Sequence, residues 1–186
     1  MTSGCAEAVK FGIMLFELAI PEDTRQLTEI CMTLGLCDEF TLYSCFGFRH
    51  LENGNELIFR LAQHVHGWGK IHAVSDFLAP DNDEIRRWLL RCGCKNSVLD
   101  AYLALAVSEK LGLPALLAER TDFDPDERRG IGDIMLGLMD EGPCMGISHY
   151  DDPTDMFSAY FDILGGAAAS PTELAAATGG DWQNTP

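Results

Sequence analysis

The sequence has 186 residues, of which 47% are hydrophobic and 23% are charged, a balance typical of a globular protein and not of a disordered chain. Its 13 basic and 29 acidic residues give a formal net charge of −16, which disfavours direct binding to the phosphates of nucleic acid. The sequence contains no bilayer-spanning apolar run and no secretory signal, and its seven cysteines are scattered among apolar neighbours, so we predict a cytoplasmic protein with reduced thiols and no membrane partner.

The first part of the sequence predicts four helices separated by short breaks. The first spans Ala6–Ile20 and is almost wholly apolar through FGIMLF, so it is expected to be deeply buried. A second helix covers residues 21–35, because proline and acidic residues favour the first turn of a helix. Asp38 is expected to cap the third helix, and Asn55 to cap a fourth over Glu56–His66.

The tripeptide GWG at residues 67–69 predicts a sharp corner after the fourth helix. Glycine permits a tight bend, and Trp68 is expected to pack inside the corner between the two flanking helices. His66 and His72 then have a structural role, in which they hydrogen-bond the exposed helix ends. A metal site is disfavoured, because His64 and His66 point about 200° apart on a helix and metal ligands converge from one face. We predict neither a metal nor a cofactor.

Helix start signals also punctuate the second half of the sequence. Asp81 or Asp83 is placed to start a helix that ends at Gly93, and Ser97 to cap the next one. Three later sites put a capping side chain before a proline: Asp124-Pro125, Asp152-Pro153 and Ser170-Pro171. They predict helices over residues 126–141, 154–164 and 172–177, followed by a flexible tail at 179–186.

The fold class predicted from these patterns is all-α, because no segment alternates polar and apolar residues as a strand does. Helices of similar apolar pattern recur about every 25 to 33 residues, beginning near Phe40, Ile71, Val98, Ile131 and Met156. Pairs at such a spacing suit a stacked solenoid, because each pair buries its apolar face only against its neighbours. We therefore predict one helical-repeat domain over residues 1–178, an α-α superhelix of stacked antiparallel helix pairs.

Three motifs carry a resemblance to a known family, namely GNE at residues 54–56, HGWGKIHAV at 66–74 and EIRRWLLRCGCKNSV at 84–98. Through them, residues 6–140 resemble the HEAT-like helical repeats of poorly characterised bacterial proteins. The resemblance implies an α-solenoid that offers a binding surface in place of a catalytic centre. It implies no particular substrate.

The predicted partner-binding site is the one dense basic cluster, formed by Arg86, Arg87, Arg91 and Lys95. Arg87 and Arg91 lie one helical turn apart and are expected to share an exposed face. Such a face would attract carboxylates or phosphates of a partner. In the alternative interpretation, these residues only pair with the acidic residues at 81–84.

The favoured function is that of a non-catalytic protein-interaction module, which binds another protein through a face of the solenoid. The sequence has no nucleophile elbow, P-loop or dinucleotide-binding fingerprint. Two alternatives stay open. One is an acidic mimic of nucleic acid that occupies a basic protein, because no Lys or Arg follows Arg129. The other is an enzyme that uses the corner between His66 and His72.

Overall fold

Helices are the only regular secondary structure in the part of the chain that the computed structural model describes, which comprises residues 4–18, 23–77, 80, 82–142, 144–151, 153–165 and 176. The predicted all-α fold class is confirmed. The α-helices are α1 (Ala6–Leu18), α2 (Arg25–Leu34), α3 (Asp38–Arg49), α4 (Gly54–Ala62), α5 (Gly67–Asp76), α6 (Asp83–Trp88), α7 (Ala101–Leu111), α8 (Leu113–Glu119), α9 (Pro125–Met139) and α10 (Pro153–Leu164). A π-helical segment, Leu89–Gly93, continues α6, and a short 3₁₀ turn covers Ile147–His149. The predicted helix at 172–177 and tail at 179–186 lie outside the described residues apart from Ala176.

The start of α9 forms as the sequence predicts. The Asp124 carboxylate accepts the backbone N–H groups of Asp126 and Glu127, both at 2.9 Å, and the Glu127 carboxylate accepts the N–H of Asp124 at 3.1 Å. This reciprocal capping box satisfies two helix-end donors at once. Pro125 in the first turn costs nothing there, because its position needs no donor.

Three other predicted caps are wrong. α4 starts at Gly54, one residue before Asn55, and its N-cap residue is Asn53. α3 is preceded by Cys37, and Asp38 is its first residue.

Asn82 is the N-cap residue of α6, which starts at Asp83 as the sequence predicts. Its side-chain oxygen accepts the N–H of Glu84 at 2.8 Å and the N–H of Ile85 at 3.3 Å. Asparagine is as good an N-cap as aspartate, so the sequence offered several equivalent candidates within three positions.

Ser97 is not the cap of α7, which begins at Ala101 after Asp100. Asn96 organises the preceding loop, since its side-chain oxygen accepts the N–H groups of Val98 and Leu99 at 2.8 and 2.9 Å. Residues 97–98 form a bend in place of a first helical turn. The helix therefore begins later than predicted.

The contacts divide the chain into two compact units, 1–78 and 79–186. In the N-terminal unit, α3 packs against α1, α2, α4 and α5. A partly buried ion pair joins the end of α3 to the end of α5, where Arg49 Nε donates to Asp76 Oδ2 at 2.8 Å. Asp76 is only 5% exposed, and the paired guanidinium compensates for the burial of its charge.

In the C-terminal unit, α7 and the π-helical segment both pack against α9, and α8 packs against α10. Its core holds Leu103, Ile131, Ile134 and Tyr160, all fully buried. α9 approaches the π-helical segment at Gly130, where an added Cβ would lie 2.8 Å from the Cα of Arg91 and against the carbonyl of Leu90. Backbone is thus in direct contact with backbone at this position.

No single helix in the described ranges is long and apolar enough to cross a membrane, although α7 and α8, bent by 57° at their junction, satisfy the requirement together by length and composition.

Candidate binding surfaces

Two of the four basic residues predicted to bind a partner are held by acidic residues of the same unit. Arg91 forms an ion pair with Asp124 at the start of α9. Lys95 Nζ donates to Asp100 Oδ2 at 2.9 Å and lies 3.4 Å from Asp133 Oδ1. These acids are not the ones at 81–84 that the sequence suggested. Asp124 and Asp133 come from a segment distant in sequence, whereas Asp100 is five positions from Lys95.

Arg86 and Arg87 differ in how far their guanidinium groups are available to a partner. Arg86 donates from Nη2 to the carbonyl of Leu111 at 3.0 Å, and from Nη1 to the carbonyl of Pro80 at 3.4 Å. Arg87 is exposed and forms no ion pair within the described part of the chain. Arg87 and Arg91 were expected to share an exposed face. Arg91 is half-buried and paired with Asp124, so only Arg87 of these two is both exposed and without an ion pair to a described residue. The role of the cluster in partner binding stays a prediction.

A small polar cavity of about 150 Å³ lies beside these residues, lined in part by Arg86, Arg87, Arg120 and Glu127. Arg120 Nη2 donates to Glu127 Oε2 at 2.7 Å, and the Glu127 side chain is only 4% exposed. The buried Glu127 carboxylate thus already neutralises the Arg120 guanidinium, and the carbonyl contacts already occupy the Arg86 guanidinium. Arg87 alone remains to meet an anion there.

The corner at residues 66–72 is built differently from the prediction. α4 ends at Ala62, and the GWG tripeptide belongs to the first turn of α5, with His66 as its N-cap residue and a positive φ of 52° at Gly67. Trp68 is 47% exposed, so the expectation that it packs inside the corner is wrong. Its ring lies 6.2 Å from the ring of His72.

Gly69 explains why Trp68 faces outward. A Cβ at Gly69 would lie 2.7 Å from Asp38 Oδ1 and 2.9 Å from Thr41 Oγ1. α5 therefore packs on α3 through the bare backbone of Gly69, which takes the inward position of the first turn. The tryptophan one residue earlier is directed away from that contact, because successive helical residues point about 100° apart.

His72 is the half-buried member of the corner, whereas His66 is exposed. Burial lowers the pKa of His72, and the nearby Asp38 carboxylate opposes that effect. The imidazole is therefore neutral at neutral pH. Among the described residues there is no group of three His, Cys, Asp or Glu side chains that could hold a metal ion.

A larger surface, which the sequence did not predict, lies in the N-terminal unit. α1 and α2 both pack on α3, and a groove of about 610 Å³ opens between them. Its walls are mostly apolar, with Val9, Ile13 and Phe16 from α1 facing Ile30 and Leu34 from α2.

Gly47 of α3 lies close to both helices that line this groove. A Cβ at Gly47 would be 3.2 Å from Cys31 Sγ and 3.9 Å from Ile13 Cγ2. The absence of a side chain lets α1 and α2 both approach α3 closely. Both helices that line the groove therefore pack on α3 near Gly47.

The groove is open to solvent along its rim, where Ala8, Gln26, Glu29, Ile30 and Thr33 are all exposed. Ile30 is 37% exposed although it is a large apolar side chain. Glu29 is the only charged side chain among the described lining residues. An apolar surface with a thin polar border is typical of a site that binds another molecule.

α1 also contradicts the expectation that it is deeply buried. Ile13 is 3% exposed, but Phe11, Met14 and Leu15 are 64%, 41% and 44% exposed. A helix that is apolar on every side needs neighbours on every side to be buried, and these three side chains of α1 are exposed. The continuous FGIMLF run was thus the signal for an exposed apolar surface, but sequence alone cannot distinguish it from a core helix.

The acidic residues after Arg129 are partly committed to internal contacts. Asp133 is buried next to Lys95, and its burial raises the pKa of the carboxyl while Lys95 opposes the effect. Glu141 accepts the N–H of Ser148 at 2.7 Å. The acidic mimic of nucleic acid stays a prediction, with Asp152, Glu173 and Asp181 outside the described residues.

Comparison of the chain with known protein families, with curated proteins and with solved structures finds no match.

Proposed function

We propose that the protein is a non-catalytic protein-interaction module that binds a helix of another protein in the groove between α1 and α2. One observation carries the proposal, namely an apolar groove of about 610 Å³ whose rim is exposed to solvent. An amphipathic helix laid into a hydrophobic groove is a recurrent mode of peptide recognition.

A small apolar ligand fits this groove less well than a helix does. Its volume lies within the range of roughly 300–1,000 Å³ of small-molecule pockets, but those sites enclose most of the ligand surface. Here the walls are two helices side by side, with Ala8 on one rim and Gln26 and Thr33 on the other exposed. An extended partner, exposed on its outer side, matches that shape.

We further propose that the helices stack as HEAT-like pairs in a solenoid. Contacts between alternate helices support this arrangement, because α1 packs on α3 and α3 on α5 in one unit, while α7 packs on α9 and α8 on α10 in the other. Stacked repeats need such contacts, since each pair buries its apolar face against the next. In this proposal the groove lies between the two helices of one pair, α1 and α2.

The decisive experiment compares Ile30→Glu with Leu36→Glu. Both replace an exposed apolar residue by the same charged one, but Ile30 lines the groove and Leu36, at 54% exposure, does not. A photo-crosslinking residue at position 30 in the native cell should capture a partner whose crosslinked segment has apolar residues at helical spacing. The purified partner should bind the wild type and Leu36→Glu equally and Ile30→Glu at least tenfold more weakly, a loss of about 1.4 kcal/mol.

Circular dichroism and thermal melting of the three proteins provide the folding control. Ile30 is on a solvent-exposed side of α2, so Glu at this position should leave the fold intact. A partner that binds all three proteins with the same affinity would contradict the proposal. In that case the exposed guanidinium of Arg87 would be the remaining candidate contact for the partner.

A further inference from the structure

The electrostatic character of the groove follows from Glu29. The side chain is exposed and forms no ion pair with any described residue. It lies in a polar row on α2 with Gln26 and Thr33, at i, i+3 and i+7 spacing. This row runs directly alongside the apolar row of Ile30 and Leu34, so a partner seated on the apolar row has a carboxylate at its edge.

The two basic side chains near the groove are already neutralised. Lys10 pairs with Glu7 at 2.8 Å and also with Glu39. Arg25 pairs with Asp23 at 2.8 Å. Across residues 6–34 the sequence has five acidic residues and these two basic ones. The field around the groove is therefore negative, and no described cation at its rim is available for an acidic partner.

From this charge distribution we infer that the groove binds an amphipathic helix from another protein whose apolar face is bordered by lysine or arginine. The inference rests on the proposed function and specifies its partner. Complementary charge at the border of an apolar contact steers association and excludes wrong partners. A second copy of this chain is a poor match, because its net charge of −16 would place like charges against each other.

The geometry also limits the length of the partner. α2 has 10 residues, which is about 15 Å of helix. A partner of about three turns therefore spans the groove, with apolar residues at i, i+3 or i+4, and i+7 facing Phe16, Ile30 and Leu34. Its basic residues would flank that stripe on the side of Glu29, one position from the apolar row.

A displayed library of helical peptides tests the inference directly. The peptides carry leucine at three positions of one face, and the positions that flank it are randomised among Lys, Arg, Glu, Gln and Ser. Clones are selected for binding to the wild-type protein, and the number that also bind Ile30→Glu or Leu36→Glu is then counted. We expect clones that require Ile30, tolerate Leu36→Glu and are enriched in Lys and Arg at the flanks.

Glu29→Lys then provides a charge reversal at an exposed position, and we expect it to leave folding unaffected. A selected basic peptide should bind Glu29→Lys about tenfold more weakly, because an attractive surface pair becomes a repulsive one. The same peptide with its flanking lysines changed to glutamate should recover affinity on Glu29→Lys. This reciprocal change is not expected from a loss of packing.

The other outcomes separate two failures. Clones that require Ile30 but show no basic enrichment, or an acidic one, would overturn the inference and leave the proposed function standing. No clone that distinguishes Ile30→Glu from wild type would overturn the proposed function itself. A wild-type dimer in light scattering that Ile30→Glu dissociates would show that a second copy covers the groove, and would overturn the inference as well.

Discussion

The carboxylate of Asp124 makes three contacts. It accepts the N–H groups of Asp126 and Glu127 and pairs with Arg91 of the π-helical segment. The N–H of Glu127, with the Arg91 guanidinium beside it, holds the pKa of Asp124 below its ordinary value. One side chain therefore starts α9 and fixes it to the preceding segment.

We expect Asp124→Ala to lower the free energy of unfolding by about 1 kcal/mol at pH 7, the usual cost of removing an N-cap. Because the folded-state pKa of Asp124 is lowered, its contribution is present above the unfolded pKa and is lost as pH falls through the folded pKa. The difference between variant and wild type should therefore shrink below about pH 3.8. Urea unfolding at neutral and acidic pH measures both effects.

Asp122→Ala is the matched control, since the Asp122 side chain is 91% exposed and pairs with Arg120. That variant should change the free energy of unfolding by less than about 0.5 kcal/mol. An equal loss in both variants, or a loss for Asp124→Ala that persists unchanged at low pH, would contradict the role given to Asp124.

Residue roles were predictable from sequence where the interaction is local. The Asp124-Pro125 cap involves residues within three positions, and its prediction is confirmed. The outward direction of Trp68 was not predictable, because it depends on Gly69 meeting Asp38, 31 positions away. The pairing of Arg91 with Asp124 likewise joins two segments whose proximity no local pattern encodes.

At the scale of elements, the number and type of helices follow from local signals, but which face of each helix is buried does not. Apolar spacing predicted nearly every described helix, although three of the predicted caps are wrong. Which face of α1 is covered depends on how many helices reach it. Ile13 meets α3 and is buried, whereas Phe11 on another face of the same helix is not.

The contact between α9 and the π-helical segment depends on Gly130. An extra residue in a helical turn widens it into a π-helix, and here the backbone of Leu90 and Arg91 lies against Gly130. Any Cβ at that position would collide with backbone, which cannot move as the end of a side chain can.

Gly130→Ala should therefore destabilise the protein by about 1–3 kcal/mol, as overpacking of a core does. The sign is informative, because alanine in a helix interior is otherwise favoured over glycine by about 1 kcal/mol. Denaturant unfolding of the variant checks it. Arg129→Ala, on the exposed side of the same turn, is the control and should stay within about 0.5 kcal/mol of wild type. A more stable Gly130→Ala protein would mean that α9 can move away from the π-helical segment at no cost.

Charge is the property that belongs to the molecule as a whole. Acidic residues outnumber basic ones by 29 to 13, and the nine acids after Arg129 have no Lys or Arg among them. Several basic side chains are already paired at short distance, including Arg49 with Asp76 and Arg120 with Glu127. The remaining acids mainly repel one another over longer distances, and such repulsion opposes a compact state.

Salt should therefore stabilise this protein. The Debye length falls from about 30 Å at 0.01 M to about 8 Å at 0.15 M ionic strength, so added NaCl screens the long-range repulsion much more than ion pairs whose atoms lie about 3 Å apart. We expect the melting temperature at pH 7 to rise by about 2–4 °C for each kcal/mol of repulsion removed between these concentrations. Near the sequence isoelectric point of 4.5 the net repulsion vanishes, and the same addition of salt should then leave the melting temperature unchanged or lower it. A melting temperature at pH 7 that is constant or falls with NaCl would mean that short-range ion pairs, and not the excess of acids, dominate the electrostatics of the folded chain.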